Sequence, residues 1–367
     1  MMSKLVLVIL VVSIQLWSLV SLSEIDEKST FKKYNEYKDL DLISDPNYEI
    51  LASWYSKKGG PENHPKETWR DVLAELSFGP SLKKRMEESA RSDRDTDVSD
   101  LPEAFDAREK WKKCKRIIGT IHDEGNCASD YAITAASVLA DRLCIQTNGK
   151  FKSLLSSQKV LGCYGSCDGG YIYTAFEHIN QAGAPTGGLF KPKRGCVPFE
   201  QEPCLHGEIR SDIVLDSGMG VLPNCSSITP KNLTCPTECT NKKYKKKFDA
   251  DTHKSRSFEW TPTDEQKIRK IIYEQGPVGA AFTMYSDFKK YKKGIYWKSN
   301  DDDNVYEGIR KVKLIGWGKE ADTRYWLAVN SYNKNWGEKG LFKIVSGRNY
   351  LFIETLVIAS IAQDKAG

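Results

Sequence analysis

A chain of 367 residues, 40% hydrophobic and 28% charged, is long enough for one large or two ordinary domains with a real core. This composition is that of a globular protein. A net charge of +5 is too small for this length to argue for a nucleic-acid binder.

The N-terminus reads as a secretory signal. Lys4 supplies the positive end, LVLVILVV (5–12) begins the apolar stretch, and Ser21 and Ser23 suit cleavage before Glu24. A membrane anchor is the competing reading. Polar Ser13, Gln15 and Ser18 interrupt the run and no second apolar span follows, so 1–23 is assigned as signal peptide and stable membrane insertion is not expected. The mature chain then enters an oxidising compartment, either extracellular or lysosomal. All ten cysteines lie between Cys114 and Cys239, and an even count in such a chain argues for disulfides. Two C-x3-C pairs, Cys163/Cys167 and Cys235/Cys239, leave a four-thiolate zinc site as the alternative. The secretory context favours disulfides, so no metal and no cofactor are expected.

Residues 24–100 are charged, lack cysteine and end in the hydrophilic run EESARSDRDTDVSD, as a removable or poorly packed segment and its linker would. Only TWRDVLAEL (68–76) carries a helical pattern there. From Leu101 the chain becomes aromatic-rich and cysteine-bearing, and the main domain is placed at 101–367.

Within it, the polar turn DEGN leads into a helix over 130–143 whose apolar face is wide enough for burial. A helix N-terminus lowers a thiol's pKa and is a common place to present a nucleophile. The residue in the exposed first turn is instead Asp130, which also suits a helix N-cap. Further helices are expected near 154–161 and 171–181. Residues 196–240 form a long cysteine-framed irregular region with two glycosylation sequons, at Asn224 and Asn232. Strands are expected at 279–285, 311–318, 324–332, 340–345 and 355–362. A helical half followed by a strand half predicts an α+β fold with a cleft between them. No repeat, P-loop or dinucleotide fingerprint is present.

Several blocks now resemble, in one order, the papain-like cysteine peptidases and their cathepsin B branch: LPEAFDAR (101–108), CDGGY (167–171), GPVGAAFTMYSDFKKYKKGIY (276–296), GWG (316–318), YWLAVNSYNKNWGEKGLFKI (325–344) and IE (353–354). The resemblance implies a helical and a β-barrel-like subdomain around a cleft, with an occluding-loop-like insert, and a propeptide over 24–100. It implies the bridges Cys114–Cys144, Cys127–Cys167, Cys163–Cys235, Cys196–Cys239 and Cys204–Cys225. Those use every cysteine and leave none for a nucleophile.

Acyl transfer by cysteine needs a thiolate, an imidazole acid/base, a group that orients it, and donors for the oxyanion. By the family's spacing, Glu124 stands at the oxyanion-donor position, Asp130 at the nucleophile and Arg310 at the base. Arg310 lies six residues before the first Gly of GWG. Asn330 matches the orienting residue, and Tyr332 stands where the family has a shielding Trp. A carboxylate attacks amides poorly, and an arginine with a pKa above ~12 cannot serve as base. Acid–base catalysis is worth ~10²–10⁴-fold and one oxyanion donor ~10²–10³-fold. The spacing places Asp130 opposite Arg310, as a carboxylate–guanidinium pair replacing thiolate and imidazolium.

The resemblance further implies substrate contacts at Gly169 and Gly170, and a specificity-pocket acid at Glu354 that favours basic side chains. The competing reading of Glu354 is a solvent-facing acid. The occluding loop normally carries two adjacent histidines. Here it has His206-Gly207, half of that carboxylate clamp, with Asp123 as the latch partner of His206. The lysine runs KKYKKK (242–247) and KKYKK (289–293) read first as solvated faces and second as weak polyanion or membrane-surface contacts. The expectation is a monomeric cathepsin B-like homologue lacking peptidase activity. It would bind peptides, proteins or cystatin-like inhibitors in its cleft. A working endopeptidase or dipeptidyl carboxypeptidase is the alternative reading, and a basic surface-binding protein the third.

Overall fold

The structure is a computed structural model that describes residues 66–77, 100–207, 222–261 and 264–363. The signal sequence and most of 24–99 lie outside the described residues. The chain divides into two compact units, Met1–Asp95 and Thr96–Gly367. In the first, the apolar spacing of 68–76 falls inside helix α1 (Lys66–Ser77).

The second unit is built on helix α2 (Asp130–Gln146), which is buried on nearly every side from Asp130 to Cys144. Alanines at 132, 135, 136 and 140 leave room for neighbours to pack closely: α3 (Ser157–Tyr164), α4 (Ile172–Gln181) and the sheet. Helix α3 begins three residues later than its apolar pattern suggests, for two local reasons. The Ser156 hydroxyl caps it by accepting from Lys159 N at 3.0 Å, and Leu154–Leu155 pair instead with Thr186–Gly187.

An eight-stranded sheet packs against these helices. Its strands are β1 (Phe105–Asp106), β2 (Ser255–Trp260), β3 (Val278–Tyr285), β4 (Ile295–Tyr296), β5 (Tyr306–Glu320), β6 (Thr323–Val329), β7 (Leu341–Val345) and β8 (Leu356–Ala362). The order is β2-β8-β3-β5-β6-β7-β4, with β1 on β5; every pairing is antiparallel except β4 with β7. All of β3 is buried, between α2 and α4 on one side and the aromatic core of Phe282, Phe288, Trp317, Trp326 and Phe342. Gly279 makes that fit: a Cβ there would meet the Phe176 ring at 2.8 Å. The expected α+β architecture, helices packed on a mixed sheet, is therefore present.

Apart from the two-residue strands β1 and β4, two elements run against the sequence reading. Helix α5 (Glu265–Gln275) and strand β2 fall in stretches where no element was expected. Only Ile268 and Ile272 supply fully buried apolar side chains on α5, but its ends are well signalled: Asp264 accepts from Lys267 N at 3.0 Å, and Gly276 stops it at φ +102°. The strand expected over 324–332 ends at Val329, because Asn330 N turns to donate to Gly340 O.

The ten cysteines form the same five pairs that the resemblance implies, so the four cysteines of the zinc alternative are each in a disulfide. Buried charges join helix to sheet. Arg142 on α2 donates to the carbonyls of Pro277, Gly276 and Ser360, and burial lowers its pKa to about 10. Lys313 on β5 meets Asp141 at 2.7 Å, with both side chains almost fully buried. That contact is a charge pair without an aligned hydrogen bond, and burial pushes the Asp141 carboxyl up against the pull of Lys313.

Two predictions follow from this interior. Lys313→Met should cost about 3–5 kcal/mol in urea unfolding, because a lone buried carboxylate remains, and adding Asp141→Leu should recover most of the loss. A double variant no more stable than the single would refute the pairing. The second concerns acid. Burial and Lys313 lower His122 to about 4, and burial lowers His178 to about 4. An unfolded imidazole takes its proton near ~6.5, so between these values the unfolded chain binds more protons and stability falls as pH drops. His122→Gln should therefore shrink the loss of stability between pH 7 and 4 by roughly 3 kcal/mol relative to the parent. An unchanged acid slope would rule this out.

Candidate functional site

Three segments meet where α2 begins: the turn 123–126, strand β5, and the turn 330–333 after β6. Glu124 N donates to Ser331 O at 3.0 Å, and Asp123 bridges Tyr332. Gly125 is required in the first turn. Its φ is +64°, and a Cβ would lie 2.4 Å from Glu202 O.

Arg310 projects from β5 into this junction and is 4% exposed. Its Nη1 and Nη2 donate to the two oxygens of Glu124 at 2.7 and 2.8 Å, a bidentate pair. Nε and Nη2 donate to Asn330 Oδ1 at 3.0 and 2.9 Å, and Nη2 also to Ser331 Oγ at 2.7 Å. The Ser331 hydroxyl in turn donates to Glu124 Oε2 at 2.7 Å. The Tyr332 ring covers the guanidinium face, 4.0 Å from Cζ. Burial opposes the charge on Arg310, but Glu124, Tyr332 and Asp130 together outweigh it and hold its pKa above the ordinary arginine value. Burial pushes the Glu124 carboxyl up from its usual value, against the pull of Arg310.

Asp130 lies within ion-pair range of Arg310, at 3.5 Å, but Glu124 is the closer partner. The sequence reading paired Arg310 with Asp130 alone. Asp130 is also neither exposed nor the N-cap. It is 5% exposed and is the first helical residue, after Ser129. Its oxygens accept from Tyr131 N and Lys311 N, both at 2.8 Å, which ties α2 to β5. Its burial follows from β5 lying over the helix start. Ser331 was missed, and a serine after an asparagine carries no sequence signal of its own.

Gly169 and Gly170 sit beside this junction through Tyr131. A Cβ on Gly170 would strike the Tyr131 ring at 2.7 Å, whereas one on Gly169, at φ +120°, would meet nothing within 4 Å. Thus Gly170 accommodates the helix start and Gly169 faces open space.

The insert reaches the same place. His206 Nε2 lies 2.8 Å from Asp123 Oδ1, and its ring stacks on Tyr332 at 4.5 Å. Asp123 Oδ2 accepts from Cys204 N and Asn333 Nδ2 at 3.2 and 2.8 Å. Beside this latch is a cavity of about 420 Å³ edged by His206, Lys289, Glu307 and Tyr332. Of the insert, 208–221 lies outside the described residues. Glu354 requires a correction. It is 3% exposed, not solvent-facing, and it accepts from Trp326 Nε1, Gly347 N and Asn349 N at 3.0, 2.5 and 2.7 Å. Those bonds hold the 347–349 turn, so the structure gives Glu354 an anchoring role. At the sequons, Asn224 Oδ1 accepts from Ser226 N and Oγ, both at 3.1 Å, and Asn232 is exposed.

Chemically, this arrangement holds a fixed cation and compensating anions, with neither a thiol nor an imidazole at its centre. Comparisons with known proteins bear on it directly. Residues 101–361 match the family model described as papain family cysteine protease. The chain is 35% identical over 272 residues to the cathepsin B-like cysteine proteinase 4 of Caenorhabditis elegans, covering 73% of this chain and 77% of that protein. It is 33% identical over 306 residues to the gut-specific cysteine proteinase of the same organism, covering 82% and 85%. Among solved structures, procathepsin B S9 from Trypanosoma congolense superposes with a TM-score of 0.57 at 26% identity, covering 76% of this chain and 81% of that one.

A double-mutant cycle tests the bidentate pair. Glu124→Gln and Arg310→Met should each cost about 3–5 kcal/mol in urea unfolding, and the double variant much less than their sum, with coupling above ~1.5 kcal/mol. Additive losses would show that the two side chains do not hold each other.

Proposed function

Because the chain belongs to the papain family of cysteine proteases, we propose that it is a cathepsin B-like homologue that has exchanged peptide hydrolysis for binding. Its cleft takes peptide segments, either free or as part of a protein or a cystatin-like inhibitor. The observation that carries this reading is the saturation of Arg310 by Glu124, Asn330 and Ser331. A papain-type reaction needs a base that gains and loses a proton, and a donor left unpaired for the oxyanion. Here the base position is a permanent cation. The oxyanion position is an acceptor already committed to that cation, and the nucleophile position is a carboxylate bonded to two backbone amides. The cavity beside His206 and Tyr332 supports binding at that end of the cleft.

We place the protein in the secretory pathway, extracellular or lysosomal, as a monomer glycosylated at Asn224 and Asn232. The signal-like start and the disulfides support this. Among the described residues no helix is long and apolar enough to cross a membrane.

The purified protein should neither be labelled by a thiol-reactive peptidyl probe nor cleave a dibasic fluorogenic peptide. Inhibitor-sensitive turnover would overturn the proposal in favour of a working peptidase. Rescue tests the assigned positions. Asp130→Cys alone should stay inactive, because its thiol faces Arg310 and Glu124. Arg310→His should be needed as well, and Glu124→Gln should raise the rate again, by roughly 10²-fold for one restored oxyanion donor. Groups acting as one unit are strongly non-additive, so the triple variant should far exceed the product of the singles. Turnover by Asp130→Cys alone would refute the roles given to Arg310 and Glu124.

A further inference from the structure

A second cavity, of about 620 Å³, shares no residue with the Arg310 junction or with the cavity by His206. It is walled by α5, the β5–β6 hairpin, the turn after β7 and the residue that follows β4. One carboxylate organises its cationic side. Glu265, in the first turn of α5, takes Arg269 Nη2 on Oε1 at 2.6 Å and Arg324 Nη2 on Oε2 at 3.1 Å. Ser346 Oγ also donates to Oε1, at 2.8 Å. Gly347 permits this approach: its φ is +81°, and a Cβ there would lie 2.7 Å from both Arg324 Nη2 and Glu265 Oε2.

Two guanidiniums thus share one carboxylate, which leaves positive charge in excess on that wall. Arg269 is mostly buried and lies over the Trp317 ring at 5.5 Å, and its Nε has no partner among the described residues. Burial lowers the Arg269 pKa, and Arg324 lowers it further against the pull of Glu265. Arg324 itself is half-exposed. Arg348 and Lys319 line the same cavity and are exposed. Among the described residues Arg348 makes no ion pair, and Lys319 reaches only the fully exposed Asp322, at 3.8 Å. An anion entering here would relieve a repulsion built into the fold.

We infer that this cavity is a docking site for an acidic peptide segment of a partner protein, in which carboxylates flank an aromatic side chain. Guanidinium forks match carboxylates in shape as well as charge. The volume lies within the ~300–1,000 Å³ of ligand sites, room for several side chains rather than one small anion. Trp297 supplies the apolar wall. It is 48% exposed, stands edge-on to Tyr350 at 5.1 Å, and shares the lining with Val345. Two exposed acids in the lining, Glu103 and Asp322, set the class of ligand. They repel a ligand that is anionic along its whole length, such as a polyphosphate or a sulfated glycan. A peptide can place neutral residues opposite them and carboxylates opposite the arginines.

The test uses the whole purified protein and a fluorescein-labelled peptide, Gly-Glu-Asp-Phe-Glu-Asp-Gly, read by fluorescence anisotropy at about 0.15 M salt, where charges are screened beyond ~8 Å. The parent should bind it, and should not bind the same peptide with Gln and Asn in place of Glu and Asp. Arg348→Gln should weaken binding about two- to fivefold, the worth of one exposed ion pair, and Lys319→Gln/Arg348→Gln roughly tenfold. Trp297→Ala should lose about fivefold or more, as loss of an aromatic anchor does. All of these side chains are exposed, and the variants leave Arg269 and Arg324 on Glu265. A control on another basic segment, Lys243→Gln/Lys246→Gln, should stay within about twofold of the parent, because distant exposed charges act independently. The proposal is overturned if the parent does not bind, if Lys319→Gln/Arg348→Gln or Trp297→Ala binds like the parent, or if the control loses as much. Complete displacement of the peptide by millimolar inorganic phosphate would mark a simple anion site and would overturn it too.

Discussion

One buried guanidinium organises the junction between the first helix of this domain and its sheet. Burying an unpaired arginine would cost several kcal/mol, so every N–H that points inward has to find an acceptor. Arg310 finds them on two chain segments at once: Glu124 before α2, and Asn330 and Ser331 after β6. Helix and sheet therefore come together around a charge rather than around a purely apolar seam. The turn 123–126 follows from the same pair. Glu124 has to reach inward, Gly125 takes the left-handed conformation that allows it, and Asp123 is left to meet the insert through His206.

The charged groups at this junction make physical sense only as a set. Arg310 without Glu124 would be a buried cation with half its partners, and Glu124 without Arg310 a buried carboxylate that cannot stay charged cheaply. Tyr332 belongs to the set as well. Its ring covers the guanidinium face with a weakly negative surface, and its other side carries the imidazole of His206. Asp130 is tied more to the backbone than to the arginine, and its two amide bonds would hold the helix start even if Arg310 were absent. Perturbed ionisable clusters usually mark catalysis. Here the acidic partners hold Arg310 up while burial holds the Glu124 carboxyl up, a combination that structural ion-pair networks also produce.

Much of this was legible in the sequence, and the limits are physical. Helices with a broad apolar face, such as α2, declared themselves by period. Helix α5 did not, since two isoleucines against a background of lysine and glutamate give little pattern, and only its caps marked it. Strand β2, SRSFEW, is too polar for a strand reading, and its place beside β8 is a tertiary fact. At the site, spacing picked out Glu124, Asp130, Arg310 and Asn330 one at a time. It could not say which acid takes the arginine, because an ion pair is a relation between positions that are distant along the chain. Glu354 shows the same limit: a lone acid near the end of a β-rich segment looks exposed, and only the folded 347–349 turn shows what its oxygens hold.

Under the binding role proposed above, the electrostatics of the cleft limit what it does to a bound peptide. Catalysis requires interactions that are stronger in the transition state than in the ground state. Such interactions come from donors and acceptors left poised and unsatisfied until charge develops on the reacting atoms. In this junction the donors of Arg310 are spent on Glu124, Asn330 and Ser331, and Asp130 is spent on two amides. A peptide lying across them would meet a surface that is already neutralised and that cannot respond to a forming oxyanion. Whatever binding energy the cleft supplies must then come from shape, backbone hydrogen bonds and the cavity by the insert. On the binding role we propose, it would be the same before and after any bond rearrangement, and uniform binding of that kind holds a ligand without transforming it.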